Sequence, residues 1–312
     1  MEQYLLEVQG LTLSLSSPQK PTKIFEDISF HLDAGQVLIL LGESGSGKTL
    51  LTRSLTRLFP AVHSFRISGE IMYRGRQVLE LTEEELRILR QREIRYIFQE
   101  PIRALNPTSR IGEQMSLAAE EKEQTAWEEA LRCAGIPDPA SVLRLFPHQL
   151  SMGMAQRVML SMALLANPSL LIADEPTSSV DRALRRQILK LLQDIQKSSG
   201  MAMIVVTHDL DVARAMGDRV LVMLGGRIVE AGQVEELLRA PLHPYARQLT
   251  GAEPATSPVG LFASRTGDIA ADGPPGCFFA PRCPKVRELC WTSVPESVNA
   301  GNGREVRCFF WK

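Results

Sequence analysis

The chain has 312 residues, 44% of them hydrophobic, and a formal net charge of −1 at pH 7. This length fits one large domain with an appendage or two domains, and the charge gives no basis for bulk binding to nucleic acid. Neither a signal peptide nor an apolar run of about 18 residues is present, so we expect a cytosolic chain, or one attached to a membrane through partners.

The first strongly apolar run, residues 37–41, leads directly into GESGSGKT at 42–49. This octet fits the P-loop pattern G-x-x-x-x-G-K-[ST], with a predicted strand before it and a predicted helix from about Thr49 after it. Its glycines let backbone N–H groups turn toward phosphate oxygens. Lys48 is predicted to reach the β- and γ-phosphates of a nucleotide, and the Thr49 hydroxyl to bind Mg²⁺. The predicted nucleotide-binding residues of this loop are Gly42, Ser44, Gly45, Ser46, Gly47, Lys48 and Thr49.

The middle of the chain carries one more strand signal before its pattern changes. Residues 82–85 (TEEE) predict a capping box at the start of a polar helix. Residues 95–99 (RYIFQ) predict a buried strand ending at Gln99, whose amide can contact both a metal ion and a water molecule. From about 103 to 166 the spacing is helical, which predicts a helical insertion in which Cys133 is a small core residue.

Two further apolar runs, 170–174 and 203–207, predict strands of a parallel sheet covered on both faces. Asp174 and Glu175 end the first run. In the company of a P-loop, Asp174 is predicted to hold Mg²⁺ and Glu175 to act as general base toward the attacking water. His208 follows the second run and is predicted to lie at the sheet edge near the γ-phosphate. Helical spacing over 183–198 predicts a helix packed on this sheet.

The last quarter of the chain contains a hairpin signal, a linker signal and a cysteine cluster. Gly225-Gly226 lies between two strand-like runs and predicts a hairpin, and residues 251–276 have the Gly/Pro/Ala/Ser composition of a linker. Clustered thiolates suit an iron–sulfur centre or Zn²⁺, although their spacing differs from the paired C-x2-C of zinc ribbons. Unligated thiols are the third alternative. Four of the five cysteines form this cluster: Cys277, Cys283, Cys290 and Cys308.

Residues 150–157 (LSMGMAQR) resemble the LSGGQ-type signature of ATP-binding cassette (ABC) proteins, with Met152 in place of a glycine. With the P-loop, Gln99, the acidic pair, SSVD at 178–181 and His208 in this order, residues 5–250 resemble an ABC transporter nucleotide-binding subunit. The resemblance implies an α/β fold: a RecA-like P-loop ATPase core, an antiparallel β subdomain and a helical subdomain at about 103–166. The predicted domains are 1–250, a linker at 251–276 and a small cysteine-rich extension at 277–312.

The same resemblance implies a mechanism that uses two such subunits. They pair head to tail, and each ATP lies between one P-loop and the opposite signature, where Ser151 and Gly153 contact the γ-phosphate. Glu175 is then the base, His208 holds the γ-phosphate, and Gln99 relays nucleotide occupancy to a membrane-spanning partner. The cofactors implied are ATP and Mg²⁺.

Asp181 is implied to contact the opposite subunit. Two departures from the family pattern limit what the resemblance assigns. A glycine at position 152 would permit backbone angles that methionine resists. Met152 is therefore either a neutral change or one that leaves a heterodimer with two unequal ATP sites. No aromatic residue occurs between 16 and 23 to stack on adenine, and Phe25 is predicted to be a core residue, so adenine recognition is unassigned.

A narrower resemblance covers residues 81–114 around Gln99 and PLHPYARQL at 241–249. Both are similar to the dipeptide, oligopeptide and nickel importer branch. It implies three kinds of partner: a second, paralogous ATPase subunit, two permease subunits and an extracytoplasmic binding protein. It also implies peripheral attachment to the cytoplasmic face of the inner (plasma) membrane. No nucleic acid is expected.

The function implied is ATP-driven import of peptides, with nickel or metallophore uptake as the alternative. A soluble ABC ATPase of DNA repair or translation is less favoured because the chain has no long coiled-coil insertion or second cassette. The C-terminal extension of this branch holds a [4Fe–4S] cluster in some members, which places that cluster ahead of Zn²⁺ here. A structural role for the extension is favoured over redox or iron sensing.

Overall fold

The computed structural model describes residues 4–16, 21–59, 64–119, 123–178, 180, 182–253 and 275–312. Asp181 and residues 254–274 of the predicted linker lie outside these ranges, so both expectations stay predictions. The chain divides into two compact units. The first comprises Met1–Asp33, Val37–Glu80 and Thr207–Lys312, and the second comprises Ala34–Gln36 and Leu81–Val206. Within the described ranges, no helix is both long and apolar enough to cross a membrane.

Strands and helices alternate along much of the chain, as expected for an α/β protein. The strands are β1 Leu6–Leu15, β2 Thr22–Leu32, β3 Val37–Leu41, β4 Phe65–Tyr73, β5 Arg76–Gln77, β6 Ile94–Ile97, β7 Leu170–Asp174, β8 Ala202–Thr207, β9 Arg219–Leu224, β10 Arg227–Gln233, β11 Val298–Gly301 and β12 Arg304–Val306.

The helices concentrate in the second unit, where the insertion was predicted. They are α1 Lys48–Ser54, α2 Glu83–Ile88, α3 Pro101–Ala104, α4 Ile111–Ala118, α5 Gln124–Cys133, α6 Pro139–Val142, α7 Met152–Leu164, α8 Arg182–Ser199, α9 Leu210–Met216, α10 Val234–Arg239, α11 Pro244–Leu249 and α12 Glu288–Thr292.

The first unit contains the antiparallel β subdomain, in the strand order β2-β1-β4-β5. Leu6 of β1 is opposite Leu32 on one side and Tyr73 on the other, and all three side chains are fully buried. Val8, Leu11 and Leu13 of β1 are also buried, and a register shift between Val8 and Leu11 interrupts the two-residue period of the strand. Phe25 of β2 is also buried, which confirms its prediction as a core residue.

A second sheet in this unit carries the phosphate loop at the end of β3. β3 pairs in parallel with β9, β9 forms the predicted hairpin with β10, and β10 pairs with β12, which pairs with β11. The hairpin turn has φ of 54° at Gly225 and 74° at Gly226. A Cβ on Gly226 would lie 2.3 Å from the Ile24 carbonyl oxygen, so only glycine fits there. The pairing of β12 with β10 was not predicted, and it joins the cysteine-rich segment to this sheet.

The second unit contains the parallel strands β6, β7 and β8, paired in that order. β6 ends at Ile97, so Gln99 follows the strand instead of ending it. The described residues between 103 and 166 contain helices and no strand, as predicted. Their core is one cluster of buried side chains: Leu105, Ile111, Met115, Leu131, Ile136, Val142, Leu143, Leu150, Ala155 and Val158.

Two local predictions in the second unit have different outcomes. The capping box is present, because the Thr82 hydroxyl accepts the Glu85 N–H at 3.3 Å and the Glu85 carboxylate accepts the Thr82 N–H at 2.8 Å. The prediction that Cys133 is a core residue is wrong, since its side chain is exposed. α5 buries Leu131, and Cys133 lies about 200° further round the helix axis.

Candidate functional site

The phosphate loop connects the buried strand β3 to α1 in the first unit. Gly45 and Gly47 have φ of 80° and 98°, a left-handed conformation in which a side chain is strained. A Cβ on Gly42 would lie 2.3 Å from the Met223 carbonyl oxygen. Ser44 and Gly45 form the exposed tip of the loop, and Ser46 is buried. The loop therefore turns tightly, through positions where a side chain would be strained or would have no space.

Lys48 is the first residue of α1, and its ammonium group lies inside the loop. Its Nζ donates to the carbonyl oxygens of Gly42 at 2.9 Å and Glu43 at 2.8 Å, and lies 3.4 Å from the Ser46 hydroxyl. The side chain is buried although it is charged. Such a cation is placed where a loop of this shape binds phosphate. Thr49, the candidate Mg²⁺ ligand, is the next residue of α1.

His208, the predicted γ-phosphate contact, is exposed directly after β8 in the first unit. The next residue, Asp209, caps α9 by accepting the Asp211 N–H at 2.8 Å. The Asp209 N–H donates to the Thr207 hydroxyl at 3.0 Å. These bonds fix the backbone on the C-terminal side of His208 and leave the imidazole at the surface.

The second unit places Gln99 and the two predicted carboxylates together. The Gln99 amide donates to the Glu175 carboxylate at 3.2 Å. Asp174 is buried at the end of β7, and the Tyr96 hydroxyl donates to it at 3.0 Å. A tyrosine in the apolar run RYIF is typical of a core strand, which is why sequence reasoning missed Tyr96. The hydroxyl within that run was the available signal.

Glu175 has a positive φ of 46°, which is unusual for a residue with a side chain. Its N–H donates to the Val206 carbonyl at 2.9 Å, and its carbonyl accepts the Ser178 N–H at 3.2 Å. These bonds hold a conformation that costs on the order of 1–3 kcal/mol. Strain of this kind clusters at functional sites, where it directs a side chain.

The signature segment begins α7 in the second unit. Ser151 is the N-cap, and its hydroxyl accepts the Met154 N–H at 3.3 Å. Met152 is the first residue of the helix and is half exposed. The left-handed backbone that would favour glycine is absent at Met152, as elsewhere in α7. At Gly153 a Cβ would lie 2.4 Å from the Cδ2 atom of Leu184, so a side chain at 153 would require Leu184 to move.

The four C-terminal cysteines line one pocket of the first unit, together with His243, Phe279, Lys285 and Phe310. Burial raises the pKa of the Cys283 thiol to about 11, and burial also raises the pKa values of Cys277 and Cys308. Among the described residues, no group of three or more His, Cys, Asp or Glu side chains is arranged around a single ion position. The chemistry of the donor set suits a thiolate-bound centre.

His243 and Glu230 form a buried polar group beside this pocket. Glu230 accepts the N–H groups of Leu242 and His243 and an Arg304 guanidinium N–H, all at 2.7–3.0 Å. The His243 Nδ1 accepts the Tyr245 N–H at 3.0 Å, and its Nε2 has no hydrogen-bond partner within the described structure. Burial lowers the pKa of His243 to about 3, so the imidazole is neutral at pH 7.

Comparisons with known proteins agree with this geometry. The ABC transporter family model matches residues 25–178, and the model for the C-terminal region of oligopeptide/dipeptide transporters matches residues 229–290. The structure of cbiO1 from Clostridium perfringens, part of the ABC transporter complex cbiONQ, is 27% identical with a TM-score of 0.63, covering 76% of this chain and 92% of that one. The ATP-binding cassette MJ0796, at 24% identity and a TM-score of 0.65, shares the fold over 73% of this chain and 98% of its own. The chain is therefore an ATP-hydrolysing subunit of the ABC class and has the P-loop fold of that class.

Curated relatives match along nearly the whole chain. The oligopeptide transport ATP-binding protein AppD of Bacillus subtilis is 36% identical, covering 99% of this chain and 97% of its own length. OppD of Escherichia coli, also an oligopeptide transport ATP-binding protein, is 38% identical over 98% and 93%. The dipeptide transport ATP-binding protein DppD of B. subtilis is 34% identical over 98% and 94%. The chain belongs to this family of ABC transporter ATP-binding proteins.

Proposed function

We propose that this chain binds and hydrolyses ATP to drive the import of peptides by an ABC transporter. The supporting observation is that similarity continues past the ATPase core into residues 229–290, which match a region characteristic of oligopeptide and dipeptide transporters. The alternative of nickel or metallophore uptake uses the same ATPase chemistry. The alternative of a soluble ABC ATPase has no feature of the chain in its favour.

In the proposed reaction, the loop at 42–49 binds the phosphates of ATP through its N–H groups and Lys48. Thr49, Asp174 and Gln99 would hold Mg²⁺, and the ion would supply positive charge to the phosphates of ATP. Glu175 takes a proton from a water molecule as the water oxygen bonds to the γ-phosphorus. The bond from the γ-phosphorus to the bridging oxygen breaks, which leaves ADP and phosphate.

The remaining residues are proposed to act between two subunits and on the γ-phosphate. His208 holds the γ-phosphate. Ser151 and Gly153 of this chain contact the nucleotide bound by a second, paralogous ATPase subunit, and Asp181 contacts that subunit. Two permease subunits and an extracytoplasmic binding protein complete the importer. The chain is then a peripheral subunit at the cytoplasmic face of the inner membrane.

Uptake by living cells tests the proposed substrate. A strain lacking this gene is complemented with the parent chain or with Glu175→Gln, and uptake of a labelled tripeptide and of labelled Ni²⁺ is measured. We expect the parent chain alone to restore tripeptide uptake, with Ni²⁺ uptake unchanged. Restored Ni²⁺ uptake without tripeptide uptake would support the nickel alternative, and restoration of neither would reject import of both.

We also propose that Cys277, Cys283, Cys290 and Cys308 hold a [4Fe–4S] cluster, with Zn²⁺ as the alternative. The proposal is supported by the four thiols lining one pocket, and a centre bound there would cross-link a segment too short to form its own core. Anaerobically purified protein should contain about four irons per chain and show thiolate-to-iron absorption. A Cys290→Ser variant should lose iron, and the control variant Cys133→Ser, at an exposed cysteine, should keep it. Stoichiometric zinc without iron would reject the cluster.

A further inference from the structure

We propose that the C-terminal cysteine-rich extension positions the phosphate loop, directly through Arg282 and indirectly through Tyr245 of α11, on which Phe279 of the extension packs. Both act as positioning residues for ATP binding, since they contact the loop at Glu43, outside the atoms that react. The inference rests on the proposed function of the loop at 42–49, and it gives the extension a role in nucleotide affinity.

Arg282 makes a two-point contact with the loop. Its two terminal nitrogens donate to the two carboxylate oxygens of Glu43 at 3.0 and 2.8 Å. Glu43 is the second residue of GESGSGKT, and Arg282 directly precedes Cys283. The two residues are 239 positions apart in the chain. A bidentate arginine–carboxylate pair fixes orientation as well as distance.

Tyr245 holds the loop backbone at the same residue. Its hydroxyl accepts the Glu43 N–H at 2.8 Å, and its side chain is buried. The Glu43 carbonyl in turn accepts the Lys48 ammonium at 2.8 Å. Glu43 is thus fixed through its side chain and its N–H by the C-terminal part of the chain, and through its carbonyl by Lys48.

Phe279 connects these two contacts to the cysteine pocket, whose wall it forms. Its ring is fully buried and packs edge-on against Tyr245, with centroids 5.6 Å apart. The Arg282 guanidinium lies 5.3 Å from the centre of the same ring. Displacing Phe279 would therefore move both residues that hold Glu43.

A second set of contacts connects the extension to the phosphate loop through the hairpin turn. The Phe278 ring packs against Gly225, where a Cβ would lie 2.3 Å from the ring. The neighbouring Gly226 N–H donates to the Ser46 carbonyl of the phosphate loop at 3.2 Å. Consecutive phenylalanines of the extension thus support the loop at two places, Glu43 and Ser46.

The physical consequence is a preorganised loop. A loop held in its binding conformation loses less conformational entropy when a ligand binds, which favours affinity. The Arg282–Glu43 pair is partly exposed, with 24% and 39% of the side chains accessible, so its effect is modest. We expect loss of the pair to raise the KM for ATP about threefold. The kcat should stay near the parent value, because neither residue is assigned to the chemical step.

The test measures KM and kcat of full-length chains in the assembled importer. Arg282→Ala and Glu43→Ala should each raise KM, and the double variant should be no worse than either alone. The exchanged pair Glu43→Arg with Arg282→Glu should recover part of the affinity. Arg307→Ala is the control, since Arg307 belongs to the same segment but pairs with Asp27 outside the loop. Arg282→Ala with an unchanged KM, or independent effects of the two alanine variants, would overturn the proposal.

Dependence on the cysteine pocket is tested in the same assay. Cys283→Ser should raise KM in the parent chain and have no further effect in Arg282→Ala, whereas Cys133→Ser should have no effect in either. If Cys283→Ser does not fold, Tyr245→Phe takes its place in the test. This variant removes only the hydroxyl that accepts the Glu43 N–H, and it should also raise KM. Equal effects of Cys283→Ser in both backgrounds would reject the connection. Failure of the proposed function is distinguishable, because Lys48→Ala would then bind ATP as well as the parent chain.

Discussion

Glu175 has a strained backbone, and its carboxylate accepts a hydrogen bond from the Gln99 amide at 3.2 Å. These two features orient the Glu175 carboxylate without a bound ligand. Glutamine at this position keeps the size of the side chain and removes its ability to accept a proton. We expect Glu175→Gln to bind ATP normally and to hydrolyse it about 10²–10⁴ times more slowly. Single-turnover hydrolysis with bound labelled ATP measures this. The exposed Glu235→Gln is the control, and hydrolysis at the parent rate would remove Glu175 from the role of base.

Tyr96 makes a second prediction at the level of single residues. Tyr96→Phe removes the hydroxyl that donates to the buried Asp174 carboxylate at 3.0 Å. We expect the free energy of unfolding to fall by about 1 kcal/mol, and half-maximal ATPase activity to need more Mg²⁺, because Asp174 is less well oriented. Chemical denaturation and a Mg²⁺ titration measure the two effects. Tyr4→Phe, at an exposed tyrosine, should change neither, and an unchanged Mg²⁺ requirement in Tyr96→Phe would show that Asp174 is oriented by other contacts.

The residues that the sequence predicted share one property: each lies at a strand end or in a contiguous motif. Lys48, Asp174 and Glu175 could be assigned because a strand and its following turn are local in sequence. Tyr245 and Arg282 could not, since each reaches Glu43 from more than 200 residues away. Their side-chain types gave no signal, because tyrosine and arginine have many ordinary structural uses.

At the level of elements, a glycine in the turn between β9 and β10 and a glycine after α8 separate the effect of backbone strain from the effect of limited space. Gly226 has a φ of 74° and would place a Cβ 2.3 Å from a backbone oxygen, whereas Gly200 has a φ of 65° and open space around it. We expect Gly200→Ala to cost about 1–2 kcal/mol, the strain of a left-handed residue, and Gly226→Ala to cost clearly more. Chemical denaturation of both variants measures the difference. Equal costs would mean that the backbone near Ile24 moves freely to admit the methyl group.

Fully buried apolar strands were predicted to within a residue or two, whereas the long, partly exposed strands β1, β2 and β4 and the short strands at the C-terminus were not placed. β3 and β7 are buried along their whole length, so five consecutive apolar or nearly apolar residues identified them. β11 and β12 contain three or four residues each, mostly exposed, with no apolar pattern. They form strands because β12 pairs with β10, and a pairing across the chain is invisible to local propensity.

For the molecule as a whole, the C-terminal extension is part of the first unit. Arg304 donates to Glu230, which is fully buried. Burial raises the pKa of this carboxylate, and the N–H groups of Leu242 and His243 and the Arg304 guanidinium oppose that rise. Deleting residues 277–312 would therefore leave the buried Glu230 carboxylate without its cation. Such a deletion would not separate a structural role of the extension from a sensing role.

Arg304→Met tests this integration without a deletion. We expect the variant to lose on the order of 3 kcal/mol of unfolding free energy, because it leaves a buried charge uncompensated. Arg307→Ala breaks the pair with Asp27, whose side chain is 54% accessible, and should cost less than about 1 kcal/mol. Urea denaturation measures both. Similar small losses in the two variants would mean that the extension contributes little to the stability of the sheet.

The pairing of β10 with β12 also has a consequence for synthesis of the chain. Arg304 of β12, which donates to the Glu230 carboxylate of β10, is 74 residues later, and ribosomes add about 5–20 residues per second. For on the order of 4–15 s, the newly made β10 would present an open edge to the cell, and such an edge invites pairing with other chains. The nascent protein should thus depend on chaperones within that interval, and slow codons placed between 234 and 304 should lower its soluble yield.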